Sequence, residues 1–109
     1  MRSLHWVFTL NNYTDEELVA LRKGLSEEKV RYAIFGKEVG ESGTPHLQGY
    51  ISFKKRNSLK GIKEVVGDRA HVDVAKGDEQ QNYDYCSKED PEPEQFGVRS
   101  KMRKRNDLD

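Results

Sequence analysis

A row of polar side chains on one predicted strand is the first sign of chemistry in this sequence. The segment GTPHLQGYISF, residues 43–53, reads as a β-strand in which Leu47 and Ile51 point to one face. His46 and Gln48 then lie side by side on the opposite face. Imidazole nitrogen and amide oxygen are both metal donors, so the strand carries two candidate ligands.

A carboxylate joins this face if the strand closes a hairpin in one particular register. The preceding segment VRYAIFGKE ends in Glu38, and placing residue 38 opposite residue 46 brings Glu38 beside His46 and Gln48. Gly36 then lies opposite Gln48, where it leaves room for an ion. One nitrogen and two oxygens suit Mg²⁺ or Mn²⁺ better than structural Zn²⁺. The alternative is that these are ordinary polar residues of a strand.

A second set of reactive side chains lies on a predicted helix. Asp78 and Gln81 have capping-box spacing, and the helix they begin extends to Lys88. Gln81, Tyr85 and Lys88 share one face of it. A tyrosine hydroxyl is a poor nucleophile at neutral pH, but a divalent ion on a phosphate and a nearby ammonium would compensate. The alternative is an amphipathic helix whose lysine is merely solvated.

Composition limits the classes of protein that carry these residues. The chain has 109 residues, 34% hydrophobic and 35% charged, which fits one domain with a small core. The single cysteine, Cys86, excludes an internal disulfide and a cysteine-based zinc site, and we expect it to pack in the core. No apolar run is long enough for a membrane span and no signal peptide is visible, so we expect a soluble intracellular protein.

The charges are unevenly distributed although the formal net charge is zero. A neutral total argues against purely electrostatic binding of nucleic acid by the whole molecule. Residues 54–69 are basic, however, and residues 78–94 are acidic. Lys54, Lys55 and Arg56 end the strand that carries His46, and we predict that they contact DNA phosphates.

Hydrophobic periodicity and turn signals predict an α+β domain. The order is β α β β α β α β, with strands at 5–11, 30–38, 45–54, 70–76 and 95–99 and helices at 15–25, 58–66 and 79–88. This order gives a central antiparallel sheet of about five strands flanked by helices, close to the ferredoxin-like pattern. We assign residues 1–99 to the domain and 100–109 to a basic linker or tail.

Three blocks together resemble a known family. FTLNN at 8–12, PHLQG at 45–49 and YCSK at 85–88 are similar, in order and spacing, to the endonuclease domain of rolling-circle replication initiators. These form the HUH superfamily, and the blocks resemble specifically the Rep proteins of circoviruses and related single-stranded DNA viruses. The resemblance implies the ferredoxin/RRM-like HUH endonuclease fold and a metal-dependent nickase and ligase that acts on single-stranded origin DNA.

The resemblance also implies a role for individual residues. Glu38, His46 and Gln48 become ligands of Mg²⁺ or Mn²⁺, Tyr85 the nucleophile and Lys88 its accessory lysine. We expect contacts to origin DNA from residues that flank these positions: Asn11, Asn12 and Gln81. The superfamily pattern has a second histidine where this chain has Gln48, a departure shared by the circovirus-like branch. An amide oxygen should bind metal more weakly than imidazole does.

The resemblance further implies partners and a compartment. Expected partners are an origin stem-loop, host replication factors and a helicase domain that follows the nuclease in full-length family members. The chain itself contains no GxxxxGK[ST] sequence, so the helicase domain is absent from it. A viral replication protein of this kind acts in the host nucleus, and the basic tail is a candidate import signal.

Two other functions compete with the nickase. A non-catalytic module would stack single-stranded bases on exposed aromatic residues, and Trp6, Tyr32 and Tyr50 are the candidates on the sheet. A protein-interaction domain with a structural ion would leave Tyr85 and Lys88 without a purpose. His71 alternates with valines and reads as an ordinary polar strand residue.

Overall fold

Five antiparallel strands and three helices form the domain, in the α+β order that the sequence predicts. A computed structural model describes residues 1–99; the predicted tail, 100–109, lies outside the described residues. The elements are β1 (Arg2–Asn11), α1 (Asp15–Leu25), β2 (Val30–Val39), β3 (Pro45–Ser58), α2 (Leu59–Val66), β4 (His71–Val74), α3 (Glu79–Ser87) and β5 (Glu94–Gly97). Among these residues, no helix is both long and apolar enough to cross a bilayer.

The sheet has the order β4-β1-β3-β2-β5, so β3 is its central strand. β3 pairs with β2 in the predicted register, with Glu38 opposite His46 and Gly36 opposite Gln48. β1 pairs with β3 on the other side and places Asn11 opposite His46. Directly paired residues in a sheet point to the same face, so the candidate ligands lie on one face across neighbouring strands.

The first face of the sheet carries the main hydrophobic core. Alternate residues of β1, β2 and β3 pack there against the apolar stripes of α1 and α2. The buried set includes Trp6, Phe8, Leu10, Leu21, Phe35, Leu47, Ile51, Phe53 and Ile62. Each large apolar side chain buried in this way contributes roughly 1.5–3 kcal/mol, so this layer supplies most of the stability.

Helix α3 covers part of the second face with a much smaller apolar cluster. Tyr32, Ile34, Tyr50 and Cys86 form that cluster and are all almost completely buried. The three aromatic residues proposed as a stacking platform are therefore inaccessible, with Trp6, Tyr32 and Tyr50 each no more than 2% exposed. That part of the sequence interpretation is wrong, because α1 and α2 cover the face that carries Trp6, and α3 covers the part of the other face that carries Tyr32 and Tyr50.

Several element boundaries differ from those expected. β1 begins at Arg2 and β3 continues to Ser58, because Arg2 and Ser58 pair with each other at the far end of the two strands. β5 ends at Gly97, whose positive φ of 79° breaks the strand conformation. Thr14 caps α1 with Glu17 in a capping box, and this helix has the predicted limits.

Candidate active site on the second face of the sheet

The three candidate metal ligands lie on the second face of the sheet, and two of them are in contact. Glu38 is paired directly with His46 across the β2–β3 hairpin, and its Oε1 lies 3.0 Å from His46 Nε2. The Glu38 side chain is only 4% exposed, whereas His46 is 20% exposed. A buried carboxylate is stable only when paired or coordinated. This pair therefore forms the base of the site and leaves the imidazole partly open to solvent.

Gln48 completes the row one step along β3. Its Oε1 accepts a hydrogen bond of 3.3 Å from the Thr9 hydroxyl, on the neighbouring strand β1. Within residues 1–99, no group of three or more His, Cys, Asp and Glu side chains is placed to hold a metal. A divalent ion here would therefore need the amide oxygen of Gln48 besides Glu38 and His46. One imidazole nitrogen and two oxygens fit Mg²⁺ or Mn²⁺ in chemistry.

Lys88 connects this row to α3. Its Nζ lies 2.5 Å from Glu38 Oε2, so both carboxylate oxygens have a nitrogen partner. Partial burial lowers the pKa of Lys88, but the hydrogen bond to Glu38 and the attraction of that carboxylate outweigh it and raise the pKa above its usual value. Lys88 is thus a fixed ammonium at the edge of the candidate metal site.

The same ammonium lies against the predicted nucleophile. Lys88 Nζ is 4.0 Å from the centre of the Tyr85 ring, in a cation–π arrangement. Tyr85 is 52% exposed, so its hydroxyl is accessible to a substrate from solvent. Because Lys88 also contacts Glu38, the tyrosine and the ligand row belong to one connected site.

Gly36 has a different role from the one predicted. A Cβ atom at this position would lie 1.9 Å from the carbonyl oxygen of Cys86 in α3. The space above Gly36 is therefore filled by the helix backbone, and the expectation that it accommodates an ion is wrong. The glycine lets α3 approach the sheet closely enough for Lys88 to reach Glu38.

The residues predicted from the resemblance to contact DNA occupy different environments. Asn11 is exposed and lies directly opposite His46, at the open side of the site. Asn12 adopts a positive φ of 52°, and its N–H donates to the Pro45 carbonyl, so it also shapes the turn after β1. Gln81 uses its side-chain oxygen to accept from the Asp78 N–H in the capping box of α3.

The basic cluster is not part of this site. Lys54, Lys55 and Arg56 are exposed near the opposite end of β3 from His46. Lys55 lies nine positions after His46 along the strand, which corresponds to about 30 Å. Lys54 is also paired with Glu28 at 2.6 Å. Contacts from this cluster would therefore be made by DNA well away from the tyrosine.

Two further residues are better understood in the structure than in the sequence. Thr9, which lies within FTLNN, donates a hydrogen bond to the Gln48 side-chain oxygen. This contact is not among those predicted from the sequence. The alternation of β1 indicates it, since Thr9 lies directly opposite Gln48 and on the same face. Cys86 is fully buried, and burial raises the pKa of its thiol to about 12. The thiol is an apolar packing group beneath the helix, as its place beside Tyr85 predicted.

Comparisons with known proteins all identify the same family. Residues 3–89 match the family described as "Putative viral replication protein". The chain is 51% identical to the replication-associated protein of canary circovirus over 84 residues, covering 77% of this chain and 28% of that protein. It is 50% identical to the replication-associated protein of beak and feather disease virus, with the same coverage of 77% and 28%.

A longer match extends over almost the whole chain. The replication-associated protein of porcine circovirus 1 is 42% identical over 104 residues, covering 94% of this chain and 33% of that protein. The chain thus spans about a third or less of the length of these curated relatives. It belongs to the viral replication protein family, in the circovirus-like group that its three sequence blocks predicted.

Proposed function

We propose that this domain initiates viral DNA replication by nicking single-stranded origin DNA with Tyr85 and later rejoining the strand. The observation that carries the proposal is Lys88, whose ammonium contacts both the Tyr85 ring and Glu38. This contact joins an exposed phenol to a metal-type donor set. Neither a structural ion nor a passive DNA-binding surface requires that connection.

The nicking step follows from the exposure of Tyr85 and the charge of Lys88. The Tyr85 oxygen attacks the scissile phosphorus and forms a P–O bond, while the bond from phosphorus to the 3′ oxygen breaks. The phenol proton passes to water, and the departing 3′ oxygen takes a proton from water to become a hydroxyl. Lys88 stabilises negative charge that develops at the phosphate and the phenol oxygen. The 5′ phosphate remains attached to Tyr85.

Glu38, His46 and Gln48 would hold the divalent ion beside this reaction. When bound, the ion supplies a Lewis acid that polarises the phosphate oxygens and orients the leaving group. Glu38 keeps its place through burial and its hydrogen bond to His46. Thr9 holds the Gln48 amide near the same face.

Rejoining uses the same residues in the reverse direction. A free 3′ hydroxyl attacks the phosphotyrosine phosphorus, the new phosphodiester forms, and the bond to Tyr85 breaks. The phenol oxygen then recovers a proton from solvent. Because Tyr85 is half exposed, an incoming strand end has access to the phosphotyrosine.

A covalent-adduct assay tests the proposal. A fluorescent oligonucleotide with the loop of the cognate origin is incubated with the protein and Mn²⁺, and the adduct is separated on a denaturing gel. We expect an adduct that is absent in EDTA and absent for Tyr85→Phe. Tyr83→Phe is the matched control, since Tyr83 lies on the same helix with its ring beneath Arg99. Equal adduct formation by Tyr85→Phe would refute the assignment.

The names of the three viral relatives support a DNA partner, since each is a replication-associated protein. We further propose an origin stem-loop as the substrate, and action in the host nucleus together with host replication factors and a helicase domain of the full-length protein. The competing binding module has lost its main support, because its three stacking residues are buried. It would bind DNA equally well in EDTA and form no adduct.

A further inference from the structure

Helix α3 carries the proposed nucleophile but buries little apolar surface. Its buried residues are Glu79, Asn82 and Cys86, at helical spacings i, i+3 and i+7. Its buried side chains are therefore a carboxylate, an amide and a thiol, and the apolar packing of the helix comes from the thiol and the partly buried ring of Tyr83. Hydrophobic burial alone cannot hold such a helix at a defined position, so polar contacts must contribute.

An ion pair anchors the start of the helix to β2. Glu79 is only 8% exposed and pairs with the guanidinium of Arg31. Arg31 is itself held by two other partners: Nη2 and Nε donate to the Ser52 hydroxyl at 3.0 and 3.2 Å, and Nη1 donates to the Val98 carbonyl at 3.0 Å. The bonds to Ser52 and Val98 thus hold the guanidinium in place independently of α3. The planar guanidinium has five N–H donors, so it can bond to these groups and to Glu79 at once.

A β-bulge places Arg31 on the correct face. Val30 pairs with Phe53 and Tyr32 pairs with Ser52, so β2 has one extra residue, Arg31, between these pairs. In a regular strand Arg31 would share the face of Ala33, which lies in the main core. The bulge turns its side chain to the second face instead, and bulges commonly redirect side chains beside active sites.

The charges on β2 and α3 are complementary at both ends of the helix. Arg31 meets Glu79 at the start of α3, and Glu38 meets Lys88 at its end. If α3 ran in the opposite direction, Lys88 would lie near Arg31 and Glu79 near Glu38. The two ion pairs therefore favour one orientation of the helix. Tyr85 lies between them, six residues or about 9 Å of helix beyond Glu79.

We propose that Arg31 and Glu79 are positioning residues, which fix α3 so that Tyr85 meets the scissile phosphate. This inference rests on the proposed nicking function and adds the device that orients its nucleophile. Loss of the pair should slow the chemical step without weakening DNA binding, because Glu79 is buried and the Arg31 guanidinium is already bonded to Ser52 and Val98. A misplacement of about 1 Å in a nucleophile can reduce a rate by about a hundredfold.

The test compares Glu79→Gln with the wild type in single-turnover adduct formation, at a temperature where circular dichroism shows both to be folded. We expect a rate about tenfold lower, with an unchanged Kd for the oligonucleotide measured by fluorescence anisotropy without divalent ions. Hydrogen exchange should accelerate at the amides of 82–88 and remain unchanged in α1 and α2. Glu79→Asp keeps the charge and should lose only about two- to threefold.

The matched control is Glu94→Gln. Glu94 forms a bidentate ion pair with Arg22 at 2.7 and 2.8 Å, between β5 and α1 and away from α3. We expect this variant to lose some thermal stability while it keeps the wild-type rate. That combination would separate positioning of Tyr85 from a general loss of stability.

A wild-type rate of adduct formation in Glu79→Gln, with or without weaker DNA binding, would overturn the inference and leave the nicking function intact. If Glu79→Gln does not fold, Glu79→Asp decides: slower chemistry with faster exchange in α3 supports the inference, and a wild-type rate overturns it. A wild-type protein that forms no adduct would overturn both the inference and the proposed function.

Discussion

Replacing Gly36 by alanine tests how closely α3 must approach the sheet. The new Cβ would lie 1.9 Å from the Cys86 carbonyl oxygen, and contacts below 3.0 Å essentially never occur at a Cβ. The helix must therefore move away by at least about 1.1 Å, the difference between these two distances. Backbone atoms form the obstacle, so a side-chain rotation cannot relieve it.

The displacement should affect stability and chemistry to different extents. Overpacking of this kind costs about 1–3 kcal/mol in free energy of unfolding, which urea denaturation measures. A shift of about 1 Å at the proposed nucleophile, Tyr85, can lower the reaction rate by about a hundredfold, which single-turnover adduct formation measures. We therefore expect a folded Gly36→Ala protein with a severe loss of rate and nearly normal binding of the oligonucleotide.

Gly40→Ala is the matched control in the same hairpin. Its Cβ would lie 3.6 Å from the Thr44 carbonyl oxygen, an ordinary contact distance. This variant should have both the stability and the rate of the wild type. A wild-type rate in Gly36→Ala would show that Tyr85 does not depend on the packing of α3 over Gly36 and would contradict this prediction.

Three further predictions concern single side chains. Lys88→Met leaves the buried Glu38 carboxylate without one partner, and we expect urea denaturation to show a loss of about 2 kcal/mol; unchanged stability would contradict the pairing. Cys86 should react with a thiol reagent such as Ellman's reagent only after unfolding, since the thiol is fully buried and its pKa is raised; rapid labelling of the native protein would contradict this. The hydrogen bond from Arg69 and that from the Thr14 amide lower the pKa of Glu17 from 4.5 to about 2, so the stabilisation is present above pH 4.5 and is lost as pH falls through about 2. Thermal unfolding of wild type and Glu17→Gln should therefore differ near neutral pH and converge toward pH 2.

The hairpin was predictable because its register follows from a simple constraint. Leu47 and Ile51 had to face the core, and period two then fixed His46 and Gln48 on the other face. The Gly-containing turn at 40–44 set the partner of His46, and Glu38 is that partner in the structure. Local patterns sufficed here because the two strands are adjacent in sequence.

The contacts of α3 were not predictable in the same way. Lys88 reaches Glu38 over 50 positions of sequence, and Arg31 reaches Glu79 over 48. No local periodicity encodes such pairs, and the bulge that redirects Arg31 leaves no mark in the alternation of β2. The prediction that Gly36 leaves room for an ion was wrong for the same reason, since the neighbour of Gly36 is the backbone of α3 and not another strand residue.

The burial of Tyr32 and Tyr50 has a similar origin. Both lie on the same face as His46 and Gln48, and that face is apolar only where α3 covers it. Strand alternation identifies two faces but does not say how far a distant helix extends over each one. The open part of the second face, around His46 and Asn11, could be recognised only once α3 was in place.

The three-strand row of Asn11, His46 and Glu38 makes correct assembly of the site inseparable from correct folding. A slip of one residue between β2 and β3 would turn Leu47 out toward solvent and bring His46 into the core. The same slip would separate Glu38 from its imidazole partner. Chains with a misaligned hairpin would thus be unstable and would also lack the Glu38–His46 pair that the proposed chemistry needs.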